Sequence, residues 1–246
     1  MKEYYSQLIS LSYLHVSQII NPPPSNHIIN ESLCSQLGLD AAVISLMKKL
    51  PYIDGPYSDG VLDEHASAYG CMLFPGSMAY SFLRDQDIVE SRDPEADGTE
   101  GVRLKYLLSH DVALTHNLRD GMALVLDTKA NTVRVLGNSN SPEVINPEGT
   151  PLKRPEEPMH YRNYCAQDAT SYFEGLITKI RSLDLIPYGG DDFSRNFYGD
   201  AYPEVRDQIK KILIEEYGWD SENFRQEDWA TDADGVWKNI LSNYYG

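Results

Sequence analysis

This 246-residue chain is poor in cysteine, in long apolar runs and in positive charge. Its three cysteines, Cys34, Cys71 and Cys165, are widely spaced, and no CxxC pair occurs. An odd and scattered set excludes a disulfide framework and zinc-binding spacing, and it suits a reducing compartment. No stretch of about 20 apolar residues is present, so no membrane-spanning helix is expected. The opening segment, MKEYYSQLISLSYLHVSQII, lacks an apolar core of signal-peptide length. A cytoplasmic or nuclear location, and not secretion, is the expectation. Lys and Arg number 21 against 37 Asp and Glu, a net charge of −16. Nucleic-acid binders offset phosphate with clustered Lys and Arg. Here the densest basic clusters, MKKL and IKKIL, each lie inside a predicted helix. Neither nucleic acid nor an anionic membrane is an expected partner. P-loop, GxGxxG, GxSxG and HExxH signatures are all missing. No cofactor and no metal are expected.

What is present is ordinary in bulk, with 41% apolar and 24% charged residues, and long enough to bury a core without staples. The 17 tyrosines stand out. An apolar body with a polar tip suits the rim of a core, or a groove. The pattern predicts one domain over 1–246, with a helical N-terminal part (1–50), a sheet-containing middle (51–167) and a helical C-terminal part (168–246).

Tyr5, Leu8, Ile9 and Leu11 predict a first helix over 2–14. Three prolines in NPPPSNH stop it. Asn30 or Ser32 starts a short helix ending at Gly38, and Asp40 caps AAVISLMKKL. LPYIDGPYSDG predicts a loop, YGCMLFPGSMAYSFL has no clean period, DQDIVESRD predicts a short helix, and RDPEADGTEG predicts an exposed loop. HDVALTHNLRDGMALVLDTKANTVRVLG then alternates apolar runs with turn formers. It predicts an antiparallel meander at about 111–136, with MALVL buried on both faces. Residues 138–164 hold five prolines and predict a long irregular connection. Asp168 caps ATSYFEGLITKIRSL, whose apolar stripe should cover the sheet and bury Phe173 and Ile177. IPYGGDDF ends that helix. Pro203 starts another that closes at Gly218, and Ser221 and Thr231 cap two further helical turns. The fold class is α+β, a central antiparallel sheet covered by N- and C-terminal helices.

Two segments in order, LVLDTKANTVRVL and then DATSYFEGLITKI, resemble the SMI1/KNR4-like (SUKH) superfamily. That resemblance implies an α+β fold with a central antiparallel sheet and a role in protein binding. LISLSYLHVSQIINPPP, VISLMKKLPY and IRSLDLIPY are similar to a family of uncharacterised filamentous-fungal proteins of this length, which implies no activity. No site residue is carried over from either.

The chemical candidates lie in the meander. On one strand, His110 and His116 share a face but stand about 20 Å apart, too far to ligate one metal without a bend. His110 has Asp111 beside it for general-base work. Asp127 ends a buried strand, as a catalytic carboxylate or as the closure of the next turn. The pairs in LDEH (62–65) and GGDDF (189–193) have no supporting context, and Cys71 has apolar neighbours. The expected function is an intracellular protein-interaction module without a catalytic motif. The alternative is a small-molecule enzyme with its site in the loops 51–82 and 138–167.

Overall fold

A computed structural model of the chain describes residues 1–53, 72–74, 77–92, 107–117, 122–137, 160–188 and 196–245. In chain order the elements are α1 (Lys2–Ser10), β1 (Ile19–Ile20), α2 (Glu31–Gln36), α3 (Ala41–Met47), β2 (Tyr52–Ile53), β3 (Met72–Phe74), β4 (Ser77–Ala79), α4 (Asp85–Glu90), β5 (Asp111–Ala113), β6 (Thr115–Asn117), β7 (Met122–Asp127), β8 (Thr132–Gly137), β9 (Ala166–Asp168), α5 (Ala169–Arg181), β10 (Ile186–Tyr188), β11 (Asn196–Tyr198), α6 (Pro203–Glu215) and α7 (Gln226–Tyr245). The described residues form two compact units. A sheet unit holds those in 20–53 and 72–172, and a helical unit holds those in 1–19 and 173–245. None of the described helices is long and apolar enough to cross a membrane. Most of the loops expected over 92–101 and 138–164, together with LDEH, Cys71 and GGDDF, lies outside the described residues.

In the sheet unit the meander is antiparallel, in the order β5-β7-β8-β9. Ala123, Leu124 and Val125 of β7 are wholly buried, as a strand flanked on both sides requires. Asp168 is expected from the sequence only to cap a helix. In fact Ala166–Asp168 add an edge strand, with Thr132 opposite Asp168. The Asp168 carboxylate still caps α5, accepting from the Ser171 N–H at 2.8 Å. HDVALTH is not one strand. Its first half pairs with β7, whereas Thr115–Asn117 pair with β4 in a separate three-stranded sheet, order β3-β4-β6. Leu114 is the switch, donating to the Leu124 carbonyl at 2.8 Å and accepting from Tyr80 N–H at 3.1 Å. The β3–β4 hairpin has a register shift between Met72 and Phe74, which explains why YGCMLFPGSMAYSFL shows no period.

The core of this unit joins Val112, Ala113, Ala123, Val125 and Leu136 of the sheet with Cys34 of α2, Val43 and Met47 of α3, and Ile88 of α4. Asn30 caps α2 by accepting from the Leu33 N–H, and Gly38 closes it at φ +70°, where a Cβ is strained. Asp40 precedes α3, but its carboxylate makes no capping bond. Ser109 and Lys129 engage it instead, Lys129 at 3.3 Å.

The helical unit is built on aromatic rings. Trp237 is wholly buried and stacks on Tyr188 of β10, with Tyr198 of β11 tilted against it. Trp229 is also wholly buried, and its indole N–H donates to the Leu11 carbonyl at 3.1 Å. Val205, Ile209 and Leu213 form the buried stripe of α6, and Gly218 follows at φ +74°. Two expectations fail here. Thr231 caps nothing: α7 runs unbroken through it, and its hydroxyl is spent on the Glu227 carbonyl one turn back. The α5 stripe is not wholly enclosed. From Phe173 onward α5 belongs to the helical unit. Phe173 is half-buried, while Ile177 and Ile180 are buried.

Candidate functional site

A pleated strand sends alternate side chains to one face. Register then decides which charges meet. Asp111 of β5 lies opposite Asp127 of β7, and Val125, two residues back on the same face, lies opposite Arg134 of β8. Asp111, Asp127 and Arg134 therefore share one face of the four-stranded sheet. All three are buried, Asp111 completely. Two carboxylates directly opposite each other repel, and in a desolvated place each needs a partner.

The partner comes from the 3-10 helix Tyr161–Asn163, inside the long connection. Arg162 Nη1 stands 3.2 Å from Asp111 Oδ2 and 3.8 Å from Asp127 Oδ2, bridging the pair. The wholly buried Tyr161 hydroxyl donates to Asp111 Oδ2 at 2.6 Å and accepts from the Leu108 N–H at 3.1 Å. Burial and the neighbouring Asp111 carboxylate push this phenol up to about 12. Burial acts to lower the Arg162 guanidinium, but Tyr161 and the carboxylates outweigh it and hold it above its ordinary value. Arg134 is lowered, first by burial and then by Arg162. Arg92, also buried, donates to the backbone carbonyls of Leu107, Leu108 and Asp111.

Each carboxylate divides its work. Asp127 Oδ1 accepts from the N–H groups of Lys129 and Ala130, closing the hairpin turn. Asp111 gives Oδ2 to Tyr161 and Arg162, and its Oδ1 accepts no hydrogen bond within the protein. That oxygen faces His110 Nε2 at 3.7 Å. The His110 side chain is 18% exposed, and its backbone carbonyl accepts from both the N–H and the hydroxyl of Thr128.

The structure thus brings together three of the four sequence candidates, His110, Asp111 and Asp127, and leaves out His116, which sits opposite Met78 on the other sheet. Sequence reasoning missed Tyr161, Arg162, Arg134 and Arg92. A signal for Arg134 exists in TVRVLG. Val133 and Val135 on either side of it are buried, and an arginine within a strand enclosed on both faces requires an anionic partner. Comparison of the chain with protein-family models, with curated proteins and with solved structures gave no match.

Proposed function

We propose that this protein is an interaction module that receives a basic partner. The observation that carries the reading is the charge of the surface on α6, α7 and the segment between them. Residues 200–234 contain eleven acidic and four basic side chains. All four basic ones are engaged by carboxylates: Arg206 by Asp200 and Asp207, Lys210 by Asp184, Lys211 by Glu215 and Arg225 by Asp228. Glu204, Glu216, Asp220, Glu222 and Glu227 remain exposed around them. Such a field steers and selects a cationic surface. The concavity at Phe224–Asp228 is an open depression, a shape suited to a protein surface more than to an enclosed substrate. The resemblance to the SUKH superfamily agrees with this reading. The candidate carboxylates add support, because Asp127 closes a turn and Asp111 anchors Tyr161 and Arg162. The test compares the wild type with a variant carrying Asp220→Lys, Glu222→Lys and Glu227→Lys. A partner from cells of the source organism should be retained by the wild type at low salt, released as salt rises, and lost by the variant at unchanged melting temperature. Equal retention by both would sink the reading.

A further inference from the structure

We propose that His110, Asp111 and Asp127 form a binding site for a divalent transition-metal ion of the zinc class. One donor atom from each lies within 4.8 Å of the others. Imidazole nitrogens and carboxylate oxygens at about 2.0–2.2 Å from a tetrahedral ion stand about 3.4 Å from one another. The pair formed by His110 Nε2 and Asp111 Oδ1, at 3.7 Å, is a few tenths of an ångström from that spacing.

Geometry alone describes many surface clusters, but this one is built differently. Asp111 is wholly buried, and its Oδ1, aimed at His110, accepts no hydrogen bond from the protein. A buried carboxylate oxygen left in that condition costs stability, and a bound cation removes the cost. The other oxygen of the same carboxylate is fixed by Tyr161 and Arg162. Outer contacts of this kind orient the ligating atoms of metal sites. Asp127 is held on both sides, its Oδ1 by its turn and its Oδ2 by Arg162 at 3.8 Å, which fixes its carboxylate beside Asp111. The two bonds from Thr128 fix the backbone of His110, and its ring is partly exposed, so an ion has a path from solvent. The Arg162 guanidinium bridges the Oδ2 atoms, so the ion sits on the Oδ1 side of Asp111. There it ties β5 to the end of β7, a structural role that leaves the interaction surface untouched. This inference does not rest on the proposed function.

The test is equilibrium dialysis of chelator-treated, full-length protein against zinc, with the bound metal measured by mass spectrometry. Cobalt substitution, followed by visible absorption, reports the ligand field. Wild type should take up one equivalent. His110→Ala and Asp127→Asn should each weaken uptake by about 100-fold or more, beyond the usual loss of an outer contact, whereas His116→Ala should bind like wild type. Circular dichroism shows whether each variant is folded, and the partly exposed His110 makes its variant the one that decides if Asp127→Asn unfolds. No uptake by wild type overturns the site, because the unbonded Asp111 oxygen would then be served by water alone. Equal uptake by wild type and a folded His110→Ala variant overturns it as well.

Discussion

The two units reach a buried interior by different means. In the helical unit the interior is aromatic, with Trp229 and Trp237 wholly enclosed and tyrosines from β10 and β11 laid against Trp237. Its contacts are broad, and the Trp229 N–H and Tyr188 hydroxyl find local acceptors at Leu11 and Asp234, whereas the buried Trp237 N–H has none. In the sheet unit an apolar core gives way, at one end of the same sheet face, to Asp111, Asp127, Arg134 and Arg162. Aromatic burial is weakly directional and tolerates repacking. Buried charges are directional and unforgiving, since loss of one partner leaves the others uncompensated. The first arrangement supplies stability, and the second specifies which residues must meet.

That contrast can be broken most directly at Asp111. Asp111→Ala should cost about 3–5 kcal/mol in denaturant melts, because Arg162 and Tyr161 lose their shared acceptor. Trp237→Ala should cost a similar amount, about 3–5 kcal/mol, by emptying a ring-sized site. The two differ in what rescues them. Replacing Asp111 and Arg162 together by Leu and Met should recover most of the loss, whereas removing Tyr198 alongside Trp237 should deepen it. If the double charge variant is no better than Asp111→Ala, the cluster does not act as a pair.

A smaller effect is expected at Tyr161. Tyr161→Phe removes a donor to a buried carboxylate and should cost about 1–3 kcal/mol. It should also alter the alkaline limb. The folded phenol is raised to about 12, against about 10 when unfolded. Its contribution is complete below about pH 10 and is lost as pH rises to about 12, because the unfolded chain ionises first. The stability gap between wild type and Tyr161→Phe should therefore narrow over that window. A gap that stays constant would show that the phenol is not held by Asp111.

Among the described residues each unit has one glycine of positive φ, and the pair separates conformational strain from crowding. At Gly38 an added Cβ meets nothing within 4 Å, while at Gly218 it comes 3.2 Å from the Asn223 carbonyl oxygen. Gly38→Ala should cost about 1 kcal/mol and Gly218→Ala about 2 kcal/mol, the larger figure reflecting the contact. Equal thermal shifts would remove the distinction. The smallest effects belong to the surface. Glu3→Ala breaks an exposed pair with Arg181 at 2.5 Å and should change stability by less than about 1 kcal/mol. Glu174→Ala should change it by less than about 0.5 kcal/mol.

Much of the fold was legible where one local rule acted alone. Asn30 and Gly38 bound α2, Pro203 and Gly218 bound α6 with its turn, and the MALVL run became the buried strand β7. Legibility failed where a residue serves two partners. Leu114 hydrogen-bonds to both sheets, so alternation across HDVALTH predicted one strand where there are two. Thr231 has a capping side chain but lies mid-helix, because Trp229, Ala233, Trp237 and Ile240 of α7 are buried at a spacing that carries the helix through it. The candidate site was half legible. Asp111, Asp127 and His110 announce themselves within the meander, but Arg162 meets the two carboxylates 51 and 35 residues later in sequence. No periodicity reports a contact of that range.

The same separation imposes an order on folding. The β7–β8 hairpin closes a loop of only four residues, 128–131. Bringing β9 to β8 closes a loop of 28, from 138 to 165. The logarithmic cost of loop closure makes the second event dearer by about 1.7 kcal/mol, and long-range pairing is correspondingly slow. Tyr161 and Arg162 travel on that late-arriving segment. Until it docks, Asp111 and Asp127 stand side by side with no guanidinium between them, which holds that end of the young sheet open to water. The segment that completes the sheet thus also carries the arginine that bridges its paired carboxylates.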